Sequence, residues 1–105
     1  MINNDNEFFQ LAGQISRYII NQGEGSKKSH DVIKIFLNTR DIKSLKEKII
    51  NMYKLYSHAF RLNHRKFEEN LTYIMNYDSE AKTKDYQNIF LRGFLEDNMF
   101  YKKLE

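Results

Sequence analysis

An all-α, compact bundle of four to five helices is the fold that this sequence predicts, and three observations predict it. No proline occurs in 105 residues, so nothing removes a helical amide or clashes with a preceding turn. Apolar residues recur at steps of three and four over most of the chain, which draws one stripe along a 3.6-residue helix. Only four glycines are present, too few for a turn-rich β architecture. The length suits one domain over residues 1–105, burying roughly 65% of its unfolded surface.

The first helix is expected at residues 5–22, DNEFFQLAGQISRYIINQ, capped by Asn4 or Asp5, with Glu7 in the first turn where the dipole favours an anion. Phe8, Leu11, Ala12, Ile15, Tyr18 and Ile19 trace its core stripe. Gly13 stands mid-helix, where it costs about 1 kcal/mol relative to alanine unless a close helix crossing repays it. GEGSKKS (23–29) reads as a flexible loop with two exposed lysines. Its glycines and Lys27 lack the G-x-x-x-x-G-K-[ST] spacing of a phosphate loop, and no strand precedes them. Ser29 then caps a short helix, SHDVIKIFLN, with Val32, Ile33, Phe36 and Leu37 inward and Lys34 outward.

Residues 41–66 are the stretch around which the chain is expected to organise, one long helix or one that breaks near Leu62-Asn63. Asp41 is its N-cap, and Ile42, Leu45, Ile49, Met52, Tyr53, Tyr56, Ala59 and Phe60 form its apolar stripe. The other side carries Lys43, Lys46, Lys48, Lys54, Arg61, Arg65 and Lys66 against Glu47, a cationic ridge. A fourth helix follows at 64–77, burying Phe67, Leu71, Ile74 and Met75, and then a polar loop at 78–84. The last helix, 84–103, is expected to bury Tyr86, Ile89, Phe90, Phe94, Leu95 and Phe100 around a second mid-helix glycine, Gly93. Two such glycines, one near each end of the chain, predict that the terminal helices pack together.

Charge is unevenly placed. Residues 1–25 carry −2, residues 67–105 carry −3, and residues 26–66 hold eleven Lys or Arg against Asp31, Asp41 and Glu47, which leaves +8. Clustered cations suit a polyanion, because neutralising phosphates releases counterions. A solvated helix face produces the same pattern, so charge alone leaves both readings open.

Catalysis finds little support. Without cysteine there is no thiol nucleophile, no disulfide and no thiolate metal site, a composition that fits a reducing compartment. His64 and Glu68 share a helix face at i,i+4, but no third or fourth metal ligand accompanies them. Glu68-Glu69 and Glu96-Asp97 are adjacent and so about 100° apart on a helix, which suits wet faces better than an acid/base pair. No catalytic residue, metal or cofactor is therefore expected. Of the fifteen Tyr and Phe residues, Tyr53, Tyr56 and Phe60 lie on the apolar stripe, whereas Tyr73 and Tyr77 are the ones expected to be available for stacking. MINNDNEFF does not resemble a signal peptide and no apolar run approaches a membrane span, so a cytoplasmic location without membrane attachment is expected.

FFQLAGQISRYIINQ, SHDVIKIFLNTRDIKSLKEKI and FLRGFLEDNMFYKK resemble the C-terminal helical domain of the large subunit of type I-B CRISPR effector complexes (Cascade), from Phe8 to Lys103. In that family the same domain also exists as a free small subunit made from an internal start, and a chain beginning at Met1 just ahead of a helix cap looks like it. The resemblance implies a non-catalytic antiviral role in more than one copy per complex. Its partners would be the large and backbone subunits, the guide RNA, and the target and non-target DNA strands. It implies backbone contacts that stabilise the R-loop, guide pairing supplying the specificity. The family offers no short strand-binding motif to transfer, so the candidate nucleic-acid-binding residues are those of the basic segment: Lys27, Lys28, Lys34, Arg40, Lys43, Lys46, Lys54, Arg61, Arg65 and Lys66. A helical adaptor whose basic face meets an acidic protein is the alternative. A helix-turn-helix regulator fits less well, because no helix–tight turn–helix unit ends in a polar base-reading helix.

Overall fold

The computed structural model describes residues 2–22, 29–56 and 65–96. Five α-helices run through these residues: α1 (Asp5–Gln22), α2 (Ser29–Leu37), α3 (Ile42–Tyr56), α4 (Arg65–Asn76) and α5 (Gln87–Leu95), the last preceded by a 3₁₀ turn at Thr83–Tyr86. The fold is all-α, as the periodicity predicts. Among the described residues, extended pairing is limited to an isolated antiparallel bridge between Asp41 and Lys82.

The organising element is α1 and not α3. Besides the expected stripe, of which Leu11 is only partly buried, α1 buries Phe9, Ser16 and Ile20, and it packs against α3, α4 and most extensively α5. Its adjacent apolar pairs, Phe8-Phe9 and Ile19-Ile20, widen the buried face by about 100°, the step between neighbours on a helix. Ser16 pays no penalty for burial, because its hydroxyl donates to the Ala12 carbonyl at 2.7 Å. Around α1 the aromatics interlock: Phe8 stacks on Tyr77 at 5.2 Å and Phe9 on Tyr86 at 4.7 Å, while Tyr18 lies tilted against Phe67 at 4.9 Å.

The two mid-helix glycines mark the α1–α5 crossing. A Cβ on Gly13 would run into the Phe90 carbonyl oxygen and stand 2.8 Å from the Phe94 nitrogen. A Cβ on Gly93 would meet the Gln10 carbonyl in the same way. Each glycine thus faces the carbonyl three residues before the other, a reciprocal backbone-to-backbone contact that a side chain would prevent.

Polar groups fasten the same pair. The Glu96 carboxylate accepts from Gln10 Nε2 at 2.9 Å and Gln14 Nε2 at 2.7 Å, while Arg17 donates to the Phe94 carbonyl at 2.7 Å and lies over the Phe94 ring. Glu96 is therefore not on the wet face expected from the sequence, but half-buried against α1. Its backbone turns extended (φ −69°, ψ 152°), so α5 ends at Leu95 and does not continue through residue 96. Leu95, expected in the core, is consequently 69% exposed at the helix end. The helix expected at 97–103, with Phe100, lies outside the described residues, as do Ala59 and Phe60 of the long stretch at 41–66; the side chains of Val32 and Tyr56 and the cap of Ser29 lie outside them too.

At the start of α1 the cap is Asn4, whose Oδ1 accepts the Glu7 amide at 2.9 Å while Glu7 Oε1 accepts the Asn3 amide at 2.8 Å. Asp5 is thereby released for another task. It accepts from the Tyr77 hydroxyl at 2.6 Å and the Tyr86 hydroxyl at 3.4 Å, tying α1 to the segment after α4. Tyr77 is thus a structural residue, not the exposed stacking platform expected.

The Tyr77 bond holds Asp5 below its usual 3.8, and the Asp5 carboxylate pushes the Tyr77 hydroxyl from 10.0 up to about 12. Since Asp5 is depressed on folding, its contribution is complete above its unfolded pKa and fades as pH falls through the folded value. Tyr77 is raised, so its contribution is complete below pH 10 and fades toward 12. Tyr77→Phe is expected to cost about 1 kcal/mol near neutral pH, the modest value suiting a half-exposed bond. Urea melts should show that deficit shrinking as pH falls below about 4. An equal deficit at neutral and acid pH would show that ring packing alone is lost.

Candidate nucleic-acid interface

The helix wheel of α3 decides which of its cations face outward. Ile42, Leu45 and Ile49 are fully buried, which fixes the core side. Lys43 and Lys54 lie opposite and are exposed, with Glu47 between them on the same face. They stand eleven residues apart, about three turns and 16 Å along the axis. Lys34 on α2, Arg40 in the connection before α3, and Arg65 and Lys66 in the first turn of α4 are exposed as well. Lys27, Lys28 and Arg61 lie outside the described residues, as do His58 and His64.

Lys46 departs from the expected ridge. It follows Ile42 by four residues and precedes Ile49 by three, so it sits on the rim of the apolar stripe rather than opposite it. Its ammonium donates to the carbonyls of Tyr77 at 2.7 Å and Met75 at 3.2 Å, and pairs with Asp78 at 3.5 Å. These carbonyls are orphaned where α4 ends, and a cation there also suits the negative end of the dipole. Lys46 is a helix-terminating strut, committed to the fold.

Asp41 caps α3 as expected, accepting the Ser44 amide at 3.0 Å. That bond, followed by the nearby Ser44 hydroxyl, Lys82 and Arg40, keeps its carboxyl below the usual range. The neighbouring Thr39 hydroxyl is buried and donates to the Phe36 carbonyl at 2.7 Å. With its one proton so used, Thr39 accepts from Thr83 across 3.0 Å. The Thr83 amide donates to the Arg40 carbonyl at 3.1 Å, completing a clamp between the α2–α3 connection and the 3₁₀ turn.

This clamp brings together cations that the sequence separates. A cleft of about 300 Å³ is lined by Thr39, Arg40, Lys82 and Lys84. Lys82 and Lys84 belong to the acidic third of the chain and were no part of the expected interface; the polar loop that carries them gives no local hint of a neighbour near residue 40. Of the aromatics expected to stack, Tyr73 is half-buried and lines a groove between α1 and α4 with Gln10, Gln14 and Asn70. Tyr53 packs on Phe67 at 5.6 Å, as its place in the stripe predicts. Among the described residues no three His, Asp or Glu side chains converge as metal ligands, and no helix is long and apolar enough to cross a membrane.

No family model matches this chain, and neither a curated protein nor a solved structure matches it.

Proposed function

We propose that this chain is a non-catalytic small subunit of a type I-B CRISPR RNA-guided surveillance complex, holding the guide RNA–target DNA R-loop by contacts to nucleic-acid backbone. The observation that carries the reading is the separation of charge from core on α3: Lys43 and Lys54 point away from the buried Ile42, Leu45 and Ile49, so a rigid bundle presents fixed cations to a partner. Lys34, Arg40, Arg65 and Lys66 extend the exposed set, and Lys46 leaves it. Point charges on helices suit phosphates, whose positions repeat regularly, better than base edges. The resemblance of the glycine-centred segments to the large-subunit helical domain supplies the rest of the reading: several copies alongside the large and backbone subunits in the cytoplasm, with pairing by the guide RNA providing the specificity.

The test is binding of the purified chain to single-stranded DNA and RNA over a salt series. A backbone binder gives a log–log slope of about −0.7 per phosphate neutralised, so a slope of roughly −2 to −4, alike for unrelated sequences, is expected. Affinity in the micromolar range or weaker is sufficient for such a subunit. No binding at low salt, together with tight binding to an acidic protein, would replace this reading by that of a helical adaptor.

A further inference from the structure

The cleft at Thr39, Arg40, Lys82 and Lys84 adjoins the α3 face but has its own logic. Among the described residues its lining contains three cations and no acid. An adjoining hollow of equal size, about 300 Å³, is lined by Asp41, Lys43, Asp78, Ser79, Glu80 and Lys82, where three carboxylates face two ammoniums. The two hollows share Lys82 yet have opposite balance. In the first, gathering like charges is unfavourable, and the backbone enforces it: the Asp41–Lys82 bridge and the Thr83-to-Arg40 bond fasten the two segments, with the buried Thr39–Thr83 pair, 44 residues apart, beneath. The nearby Asp41 carboxylate acts on both Lys82 and Arg40, but its single charge offsets only part of three.

We propose that this cleft is a phosphate subsite. Arg40 supplies a planar fork for two oxygens, and Lys82 and Lys84 supply point charges in the same cleft. The shared chemistry is a phosphate oxyanion, and its source is the phosphodiester of a nucleic-acid backbone. That choice of source rests on the function proposed above; the affinity of the cleft for phosphate does not. An R-loop strand crossing α3 would then have a second fixed point at the α2–α3 connection.

The experiment follows backbone amides of the ¹⁵N-labelled full chain by NMR during two titrations. One uses inorganic phosphate against chloride at equal ionic strength; the other uses an oligothymidylate lacking terminal phosphates. Alongside oligonucleotide shifts on α3 and α4, saturable shifts at residues 39–41 and 82–84 are expected with both titrants, and with inorganic phosphate they are confined there. They should vanish in a Lys82→Glu, Lys84→Glu variant and persist in a Lys54→Glu, Arg65→Glu variant. The first variant should also reduce the oligonucleotide salt slope by about 1 to 2. With inorganic phosphate, shifts scattered over all exposed lysines and arginines, or none at all, would overturn the subsite. Shifts with inorganic phosphate but not with the oligonucleotide would overturn the phosphodiester assignment. Failure of the R-loop function itself is read separately, from the α3–α4 variant in the assembled complex.

Discussion

Gly13→Ala is expected to destabilise the chain by about 1–3 kcal/mol, although alanine in a helix gains about 1 kcal/mol over glycine. The reason is what the new methyl group meets. At Gly13 it meets the Phe90 carbonyl and the Phe94 nitrogen, and both are backbone. No rotamer change can relieve such a clash, so α1 and α5 must separate. Separation also loosens the two carboxamide bonds to Glu96 and the Arg17 bond to the Phe94 carbonyl. Gly13→Leu should fall at the upper end of the range or beyond it. For a chain of this size each kcal/mol corresponds to about 4–8 °C, so calorimetry should find a drop of several degrees to about 20 °C. Gly93→Ala should behave alike through the Gln10 carbonyl, and the double variant should cost less than the sum, because one crossing is lost only once. A variant melting at or above the parent would contradict the close crossing.

This crossing was legible in the sequence because its signal is local. A glycine amid large apolar residues on a helix is unfavourable unless a backbone passes by, and Gly13 and Gly93 share that setting. The Asp41 cap and most core positions were legible for the same reason. The place of α1 was obscured by reading one stripe per helix; the adjacent pairs Phe8-Phe9 and Ile19-Ile20 carried the information that two faces are buried. Lys46 was legible in principle, since its spacing from Ile42 and Ile49 places it at the core margin. Residue type alone put it with the other lysines. Glu96 and Leu95 depend on where α5 stops, and the cause lies on α1, more than 80 residues away, in Gln10 and Gln14. The meeting of Arg40 with Lys82 and Lys84 is set by hidden threonine and backbone bonds, and no periodicity encodes it.

The largest functional effect is expected from reversing the cations of the α3–α4 region together. Lys54→Glu, Arg61→Glu, Arg65→Glu changes three positive charges to negative and leaves the buried face of α3 and α4 intact, because Phe67, Leu71 and Ile49 are untouched. Circular dichroism should therefore stay close to the parent. Loss of three phosphate contacts should lower the salt slope for strand binding by about 2–3, uniformly across sequences. The decisive measurement is R-loop formation by the surveillance complex reconstituted with guide RNA and either the parent chain or this variant. Poor assembly or poor R-loop formation by a variant of normal helicity is the predicted result. Parental R-loop formation by that variant would contradict it, leaving Lys54 and Arg65 on a solvated helix face.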